Sequence, residues 1–207
     1  MLRVDPASCQ PADLAPAVEW LRSGGVVAFP TETFYGLAVD PVSASAVSAL
    51  VDLKGRAADA ALPLIAGTLD QVRAIGTLGA LDERLAGAFW PGPLTLVVTA
   101  RDPFASGVAA ADGAVAIRVP GHPVARALAV AWGRPLTATS ANRSGLPPAR
   151  RAADLVDLAD DARVMVIDGG DTPGGRPSTI VDARGERPRL IRDGAVPWGR
   201  VLESIHR

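Results

Sequence analysis

Short apolar runs with strand character alternate along this chain with segments of helical periodicity, and this alternation constrains the fold more than any other feature. Residues 12–23 have apolar side chains at helical spacing, with Asp13 as the expected cap. Residues 26–29 form a continuous apolar run that Pro30 ends, which is typical of a buried strand. Interleaved helices and strands predict an α/β fold, in which helices flank a mixed sheet.

The same reasoning extends to the rest of the chain. It predicts helices at 44–53, 81–89, 123–132 and 198–205, and strands at 63–65, 94–99, 115–119, 135–139, 164–167, 179–181 and 190–191. No repeat or linker divides the chain, so we expect a single domain over residues 1–207. The glycine- and proline-rich segment 169–177 is predicted to be an internal loop, with a lid as one interpretation.

Composition excludes several functional classes. The net charge of −1 does not indicate a strongly basic nucleic-acid binder. Cys9 is the only cysteine and His122 and His206 are the only histidines, so neither a disulfide nor a metal site in the protein is predicted. No signal peptide and no apolar run of membrane-spanning length is visible, so we expect a cytoplasmic protein without a membrane partner.

Polar side chains follow or interrupt several of the predicted strands. They are Thr31, Glu32 and Thr33 after the first strand, Arg118 within a later one, Ser140 and Asn142 after another, and Ser178 beside one more. Ligand sites of α/β proteins form at strand ends, so these side chains are expected to share the rim of one site.

Cations beside glycine, proline or strand ends indicate recognition of phosphate. They are Lys54, which is the only lysine against twenty arginines, together with Arg56, Arg118, Arg150 and Arg192. Taken singly, most would be explained as solvated surface charges. Arg118 differs, because it lies among apolar residues of a predicted strand, and burial there would demand an anionic partner.

Familiar catalytic and nucleotide-binding motifs are missing. The sequence has neither a Gly-x-x-x-x-Gly-Lys-Ser/Thr loop nor a Gly-x-Gly-x-x-Gly opening to a helix. Any bound ATP must therefore be held by dispersed cations and backbone amides. Ser140 lacks a Gly-x-Ser-x-Gly elbow, and His122 is expected to have a structural or surface role.

Seven ordered motifs resemble those of the YrdC-like family and span about residues 15–195. They are Phe-Pro-Thr-Glu-Thr-Phe-Tyr-Gly-Leu at 29–37, Lys-Gly-Arg at 54–56, Trp-Pro-Gly-Pro-Leu-Thr at 90–95, Ile-Arg-Val-Pro at 117–120, Thr-Ser-Ala-Asn-Arg-Ser-Gly at 139–145, Pro-Ser-Thr-Ile-Val-Asp at 177–182, and Ile-Arg-Asp-Gly at 191–194. The resemblance implies a twisted sheet around a concave, positively charged cavity.

The family resemblance also implies a reaction. L-threonine, bicarbonate and ATP, with Mg²⁺, would give threonylcarbamoyl-AMP and pyrophosphate. A separate transferase complex would then use the product to modify an adenosine beside the tRNA anticodon. Contact with tRNA or double-stranded RNA is a further expectation of the resemblance.

Residue roles are carried over from the matching motif positions. Thr31 or Thr33, with Arg118, Ser140 and Ser178, would hold threonine and its carbamate. Lys54, Arg56, Asn142, Arg150 and Arg192 would hold the phosphates or ribose of ATP. Lys54, Arg56 and Arg118 are the residues expected to carry the catalysis.

One segment departs from the family pattern. Residues 57–62 form a longer loop without the usual polar members, and Gly67 stands near a position that is often histidine. Other functions remain open at this point: a YrdC-like RNA-binding protein without synthase activity, a carbamoyl-adenylate enzyme with another acceptor, and a structural protein.

Overall fold

The fold is known from a computed structural model that describes residues 1–55 and 61–205. The strands are β1 Leu2–Arg3, β2 Val26–Phe29, β3 Gly36–Ala38, β4 Leu64–Ile65, β5 Gly76–Thr77, β6 Leu94–Ala100, β7 Ala114–Arg118, β8 Leu136–Thr137, β9 Thr139–Ser140, β10 Val164–Asp168, β11 Thr179–Asp182 and β12 Arg189–Arg192. The helices are α1 Ala15–Arg22, α2 Ala44–Lys54, α3 Leu69–Ile75, α4 Ala80–Phe89, α5 Pro123–Trp132, α6 Val156–Ala159 and α7 Trp198–Ile205, with 3-10 helices at Pro11–Leu14 and Ala152–Leu155.

Within these described residues, the strands form two mixed sheets. One has the order β1-β10-β2-β3-β9, and the other has the order β12-β11-β6-β7-β4-β8, with β5 also paired to β6. Both sheets contain parallel and antiparallel pairs. The predicted α/β class with mixed pairing is therefore confirmed, while the strands are divided between two sheets rather than gathered in one.

The central position of β2 explains its unbroken run of apolar residues. All four of its side chains are buried, and successive side chains of a strand point to opposite faces. Val26 and Ala28 belong to the core that the two sheets share. Val27 and Phe29 belong to a second core beneath α1 and α5. A strand covered on both faces has no position for a polar side chain.

The five predicted helices begin and end close to the predicted positions, with one correction, whereas α3 and α6 were not predicted. The segment 12–23 starts as a 3-10 helix, in which Asp13 is the third residue and not the cap. Its carboxylate instead accepts a hydrogen bond from the backbone N–H of Gln10 at 2.8 Å. In the described parts of the chain, no helix is long and apolar enough to span a membrane.

The predicted strand at 135–139 is divided between the two sheets. Residues 136–137 form β8, which pairs with β4, whereas residues 139–140 form β9, which pairs with β3. The chain therefore crosses from one sheet to the other at Ala138. This crossing places Ser140 at the end of the first sheet, facing the space between the sheets.

An ion-pair network holds the far end of β11. Asp182 accepts hydrogen bonds from Arg184 Nε and Nη2, both at 2.9 Å, and from Arg189 Nη2 at 3.1 Å. Arg184 also donates to Asp112 in the loop before β7. The pKa of Asp182 falls to about 2, chiefly because Arg184 donates hydrogen bonds to the carboxylate. The network links β11 and β12, whose opposite ends carry Ser178 and Arg192.

We expect Asp182→Asn to lower the free energy of unfolding by about 1 kcal/mol at pH 7, since partly exposed charge networks are screened. The pKa of the Asp182 carboxyl is lower in the folded state than its ordinary value of 3.8. The stabilisation is therefore present at pH values above 3.8 and disappears as the pH falls toward about 2. Urea unfolding at pH 7 and pH 2.5 measures the difference. Glu19→Gln, which breaks an exposed pair with Arg22, is the matched control. An equal deficit at both pH values would contradict this account.

Candidate active site

A cavity of about 650 Å³ opens between the two sheets. The polar side chains in its wall are Thr31, Thr33, Tyr35, Thr95, Arg118, Thr139, Ser140, Ser178 and Arg192. The described wall contains two arginines and no carboxylate. Hydroxyl and guanidinium groups in this combination favour a ligand rich in anionic oxygens.

Arg118 reaches the cavity from the end of β7 and is fixed by an ion pair. Its Nη1 donates to Oε1 of Glu32 at 2.8 Å, and 9% and 17% of the two side chains are exposed. Burial lowers the pKa of Arg118, and the charge of Glu32 opposes that effect. Glu32 Oε2 is buried without a partner among the described residues. The carboxylate therefore holds the guanidinium from behind while Arg118 faces the cavity.

Ser178 lies immediately before β11 in a network of three side chains. Arg192 donates from Nη2 to Ser178 Oγ at 3.0 Å, and from Nε and Nη2 to the Ser178 carbonyl at 3.0 and 2.8 Å. Thr95 Oγ1 lies 2.9 Å from Ser178 Oγ. Burial, and secondarily the charge of Arg118, lower the pKa of Arg192. The two guanidinium groups are thus close enough to repel each other.

Thr31 and Thr33 form a compact turn after β2. Thr31 Oγ1 donates to the carbonyl of Phe34 at 2.7 Å and accepts from the backbone N–H of Thr33 at 3.2 Å. The hydroxyls of Thr31 and Thr33 are 3.2 Å apart. Such local hydroxyl-to-backbone bonds stabilise turns. Both hydroxyls are therefore held at the cavity wall by the local sequence.

Lys54 is buried at the end of α2 and supports the opposite wall. Its Nζ donates to the carbonyls of Ser140 at 2.6 Å and Asn142 at 3.1 Å. Gly55 ends the helix in the left-handed conformation, with a φ of 61°. The backbone N–H of Ser144 donates in turn to the Lys54 carbonyl. The lysine therefore anchors the loop after β9 from behind the cavity wall.

The segment 169–177 runs along the cavity, and Gly175 and Pro177 form part of the wall. Tyr35 donates its hydroxyl proton to the Gly170 carbonyl at 2.8 Å. Burial raises the pKa of Tyr35 to about 12, so the phenol keeps this proton at neutral pH. The backbone N–H of Gly174 donates to the Thr33 carbonyl at 2.7 Å. Closure of this segment as a lid stays a prediction.

Comparison with known proteins identifies the family. The Sua5/YciO/YrdC family model, described as telomere recombination, matches residues 19–194. The chain belongs to this family. The match covers all seven motifs and both walls of the cavity.

Several Sua5/YciO/YrdC proteins resemble the chain over most of its length. A threonylcarbamoyl-AMP synthase of Xanthomonas euvesicatoria is 40% identical over 190 residues, which cover 87% of this chain and 97% of the relative. The synthase of Pyrococcus abyssi is 36% identical, but the match covers 91% of this chain and only 56% of the relative. The P. abyssi Sua5 structure complexed with L-threonine has a TM-score of 0.88 and 33% identity, covering 99% of this chain and 59% of that chain. The chain thus spans little more than half of the longer Sua5 relatives.

The structure brings together most of the predicted site residues. Thr31, Thr33, Arg118, Ser140, Ser178 and Arg192 all line the cavity. Lys54 lies directly behind Ser140. Asn142 and Arg150 are not part of the cavity wall: the Asn142 amide donates to the carbonyls of Arg143 and Leu146, and Arg150 contacts the 172–174 segment. Their contacts with ATP stay predictions.

Several residues singled out in the sequence either lie outside the described residues or do not line the cavity. Arg56, residues 57–60 of the departing loop and His206 lie outside the described residues. Ala61 does line the cavity. Gly67 packs against α5, where a Cβ would lie 2.4 Å from Val130 Cγ2, so this position has no room for a side chain. His122 precedes α5, and burial lowers its pKa.

Sequence reasoning missed the site roles of Thr95, Glu32 and Tyr35. The sequence marks Thr95 only as a strand former, although it closes the Trp-Pro-Gly-Pro-Leu-Thr motif at 90–95. The sequence places Glu32 only in a strand-end segment, and its partner Arg118 is 86 positions away. Thr95 looks like any other threonine of a strand, and Glu32 lies between two threonines, so both roles become visible only through their distant partners Ser178 and Arg118.

We expect Glu32→Ala to lower the free energy of unfolding by roughly 3 kcal/mol, because it leaves the Arg118 guanidinium without its carboxylate. Glu32→Gln retains an oxygen acceptor at the same distance and should cost less. Urea unfolding at pH 7 measures both losses. If Glu32→Ala were as stable as the wild type, the ion pair would not hold Arg118.

Proposed function

We propose that this chain is a threonylcarbamoyl-AMP synthase, which condenses L-threonine, bicarbonate and ATP to threonylcarbamoyl-AMP and pyrophosphate. One observation carries the proposal. The cavity between the sheets presents hydroxyls and two arginines, with no carboxylate in its described wall. It occurs in a chain that is 40% identical to a protein of this name over 97% of that relative's length.

The chemistry of the step fits such a cavity. The threonine amine adds to the carbon of bicarbonate, and a C–O bond breaks with loss of one water, which carries away an amine proton and leaves a carbamate. A carbamate oxygen then attacks the α-phosphorus of ATP, so a new O–P bond forms and the bond to the bridging oxygen breaks, releasing pyrophosphate. Both reacting groups are anions, and fixed guanidinium groups screen their repulsion without reorganising during the reaction.

Positioning is the second contribution of the site. Thr31, Thr33, Ser140 and Ser178 supply hydroxyls to the wall of the cavity, and Arg118 supplies a guanidinium to the same cavity. We assign threonine and its carbamate to this group. We assign ATP to Arg192 and to the side bordered by Lys54, with Arg56, Asn142 and Arg150 as further predicted contacts. Holding the reactants together in the right orientation removes much of the entropic cost of the reaction.

ATP is proposed to bind as its Mg²⁺ complex. In this proposal Mg²⁺ belongs to the substrate, which it reaches through the phosphates of ATP.

The product has a defined chemical use. Threonylcarbamoyl-AMP is a mixed anhydride and is therefore an activated acyl donor. We propose that a tRNA-modifying transferase complex consumes it, which requires a cytoplasmic location and diffusion or direct transfer of the product. Direct contact of this chain with tRNA or double-stranded RNA remains a prediction.

The proposed function predicts that pyrophosphate release from MgATP and bicarbonate depends on L-threonine. Arg118→Ala should lower kcat/KM for threonine by about 10²–10³-fold, as expected for loss of a fixed donor to a developing charge. A coupled pyrophosphate assay measures the rates, and chromatography identifies the adenylate product.

Arg22→Ala is the matched control, since Arg22 is exposed on α1 and, among the described residues, pairs only with Glu19. It should retain wild-type rates. L-serine in place of L-threonine tests for another acceptor. Release that does not require threonine, or RNA binding without any release, would reject the synthase function.

A further inference from the structure

Thr95 is a buried hydroxyl in the cavity wall to which no role in the reaction has been assigned above. It is 1% exposed, lies on β6, and is paired in register with Ile180 of β11. Parallel pairing of the two strands brings its Oγ1 to 2.9 Å from Ser178 Oγ. Among the described residues, this is the only hydrogen bond that the Thr95 hydroxyl makes.

The direction of this hydrogen bond determines what Ser178 can offer a ligand. A hydroxyl has one proton to donate and two lone pairs that accept. Arg192 is a donor only, so Ser178 Oγ already accepts from Nη2 at 3.0 Å. If Thr95 also donates, both lone pairs of Ser178 are used, and its single proton stays available for the cavity.

The opposite direction is less favourable. If Ser178 donated to Thr95, the proton of the more deeply buried Thr95 would have no acceptor within the described part of the chain. Ser178 is 8% exposed against 1% for Thr95, so Ser178 is the hydroxyl closer to a ligand. Buried donors without acceptors are costly.

We propose that Thr95 is a positioning residue, which donates to Ser178 Oγ and thereby fixes Ser178 as a hydrogen-bond donor toward the anionic substrate. This inference rests on the synthase function proposed above. It implies that the ligand group at Ser178 is an acceptor, namely a carboxylate or carbamate oxygen of threonine, and not an amine or a hydroxyl proton. Thr95 acts through Ser178 and does not itself need to touch the substrate.

The test compares Thr95→Val, which removes the hydroxyl and keeps a β-branched side chain, with Thr95→Ser, which keeps the hydroxyl. Affinity for L-threonine is measured by calorimetry and kcat/KM by pyrophosphate release. Thr95→Val should weaken threonine binding by about tenfold, as expected for a single hydrogen bond to a charged group, with the KM for ATP unchanged. Thr95→Ser should remain close to the wild type.

A double-mutant cycle separates positioning from a merely structural role. If Thr95 acts through Ser178, then Thr95→Val adds nothing in a Ser178→Ala background. Losses that multiply in the double variant would overturn the proposal, as would wild-type affinity in Thr95→Val.

Thr137→Val is the control for loss of a buried hydroxyl. Thr137 is also fully buried, and its hydroxyl accepts from the backbone N–H of Val39 at 2.9 Å. This variant should lose thermal stability but keep its affinity for threonine. A loss of affinity equal to that of Thr95→Val would overturn the positioning role.

The wild type distinguishes failure of this inference from failure of the synthase function. If the wild type binds threonine without releasing pyrophosphate, the synthase function fails, while the double-mutant cycle on threonine binding still tests Thr95. If the wild type neither binds threonine nor releases pyrophosphate, both proposals fail.

Discussion

The ion pair between Arg118 and Glu32 is the interaction on which the rest of the site depends. Arg118 ends β7 in one sheet, and Glu32 follows β2 in the other, so their hydrogen bond of 2.8 Å links the two sheets beside the cavity. The approach of the loop 120–122 is close enough that a Cβ on Gly121 would lie 3.5 Å from the Glu32 side chain. A buried guanidinium without such a partner would be strongly unfavourable. The Arg118–Glu32 ion pair therefore fixes both the position of the two sheets at the cavity and the charge in the cavity wall.

A second set of hydrogen bonds fixes the part of the cavity wall that carries Ser140. The chain changes sheets at Ala138, and Lys54 then binds the carbonyls of Ser140 and Asn142 from the end of α2. A lysine ammonium is a compact charge with three donors, and two of the acceptors that it reaches here are these carbonyls.

Much of the site could be predicted because its residues interrupt apolar patterns. Arg118 lies among Ile117 and Val119, and Ser178 precedes a buried strand, so both stand out in the sequence. The division into two sheets could not be predicted, since nothing within residues 135–139 marks a break in the predicted strand, and the change of sheet at Ala138 depends on pairing with distant strands. Thr95 resembles any threonine in a strand until its neighbour across the sheet is known. Glu32 acquires its role only through Arg118.

The arrangement also explains why the proposed reaction needs no histidine base and no covalent nucleophile. Burial and the neighbouring charge of Arg118 lower the pKa of Arg192, because two guanidinium groups of like charge share the cavity wall. An anionic ligand relieves this repulsion, and the relief grows as negative charge concentrates between the reacting oxygen and the phosphorus. Interactions that strengthen in the transition state are those that accelerate a reaction. With Glu32 compensating one guanidinium from behind, the remaining positive charge is directed into the cavity, where the reacting anions must meet.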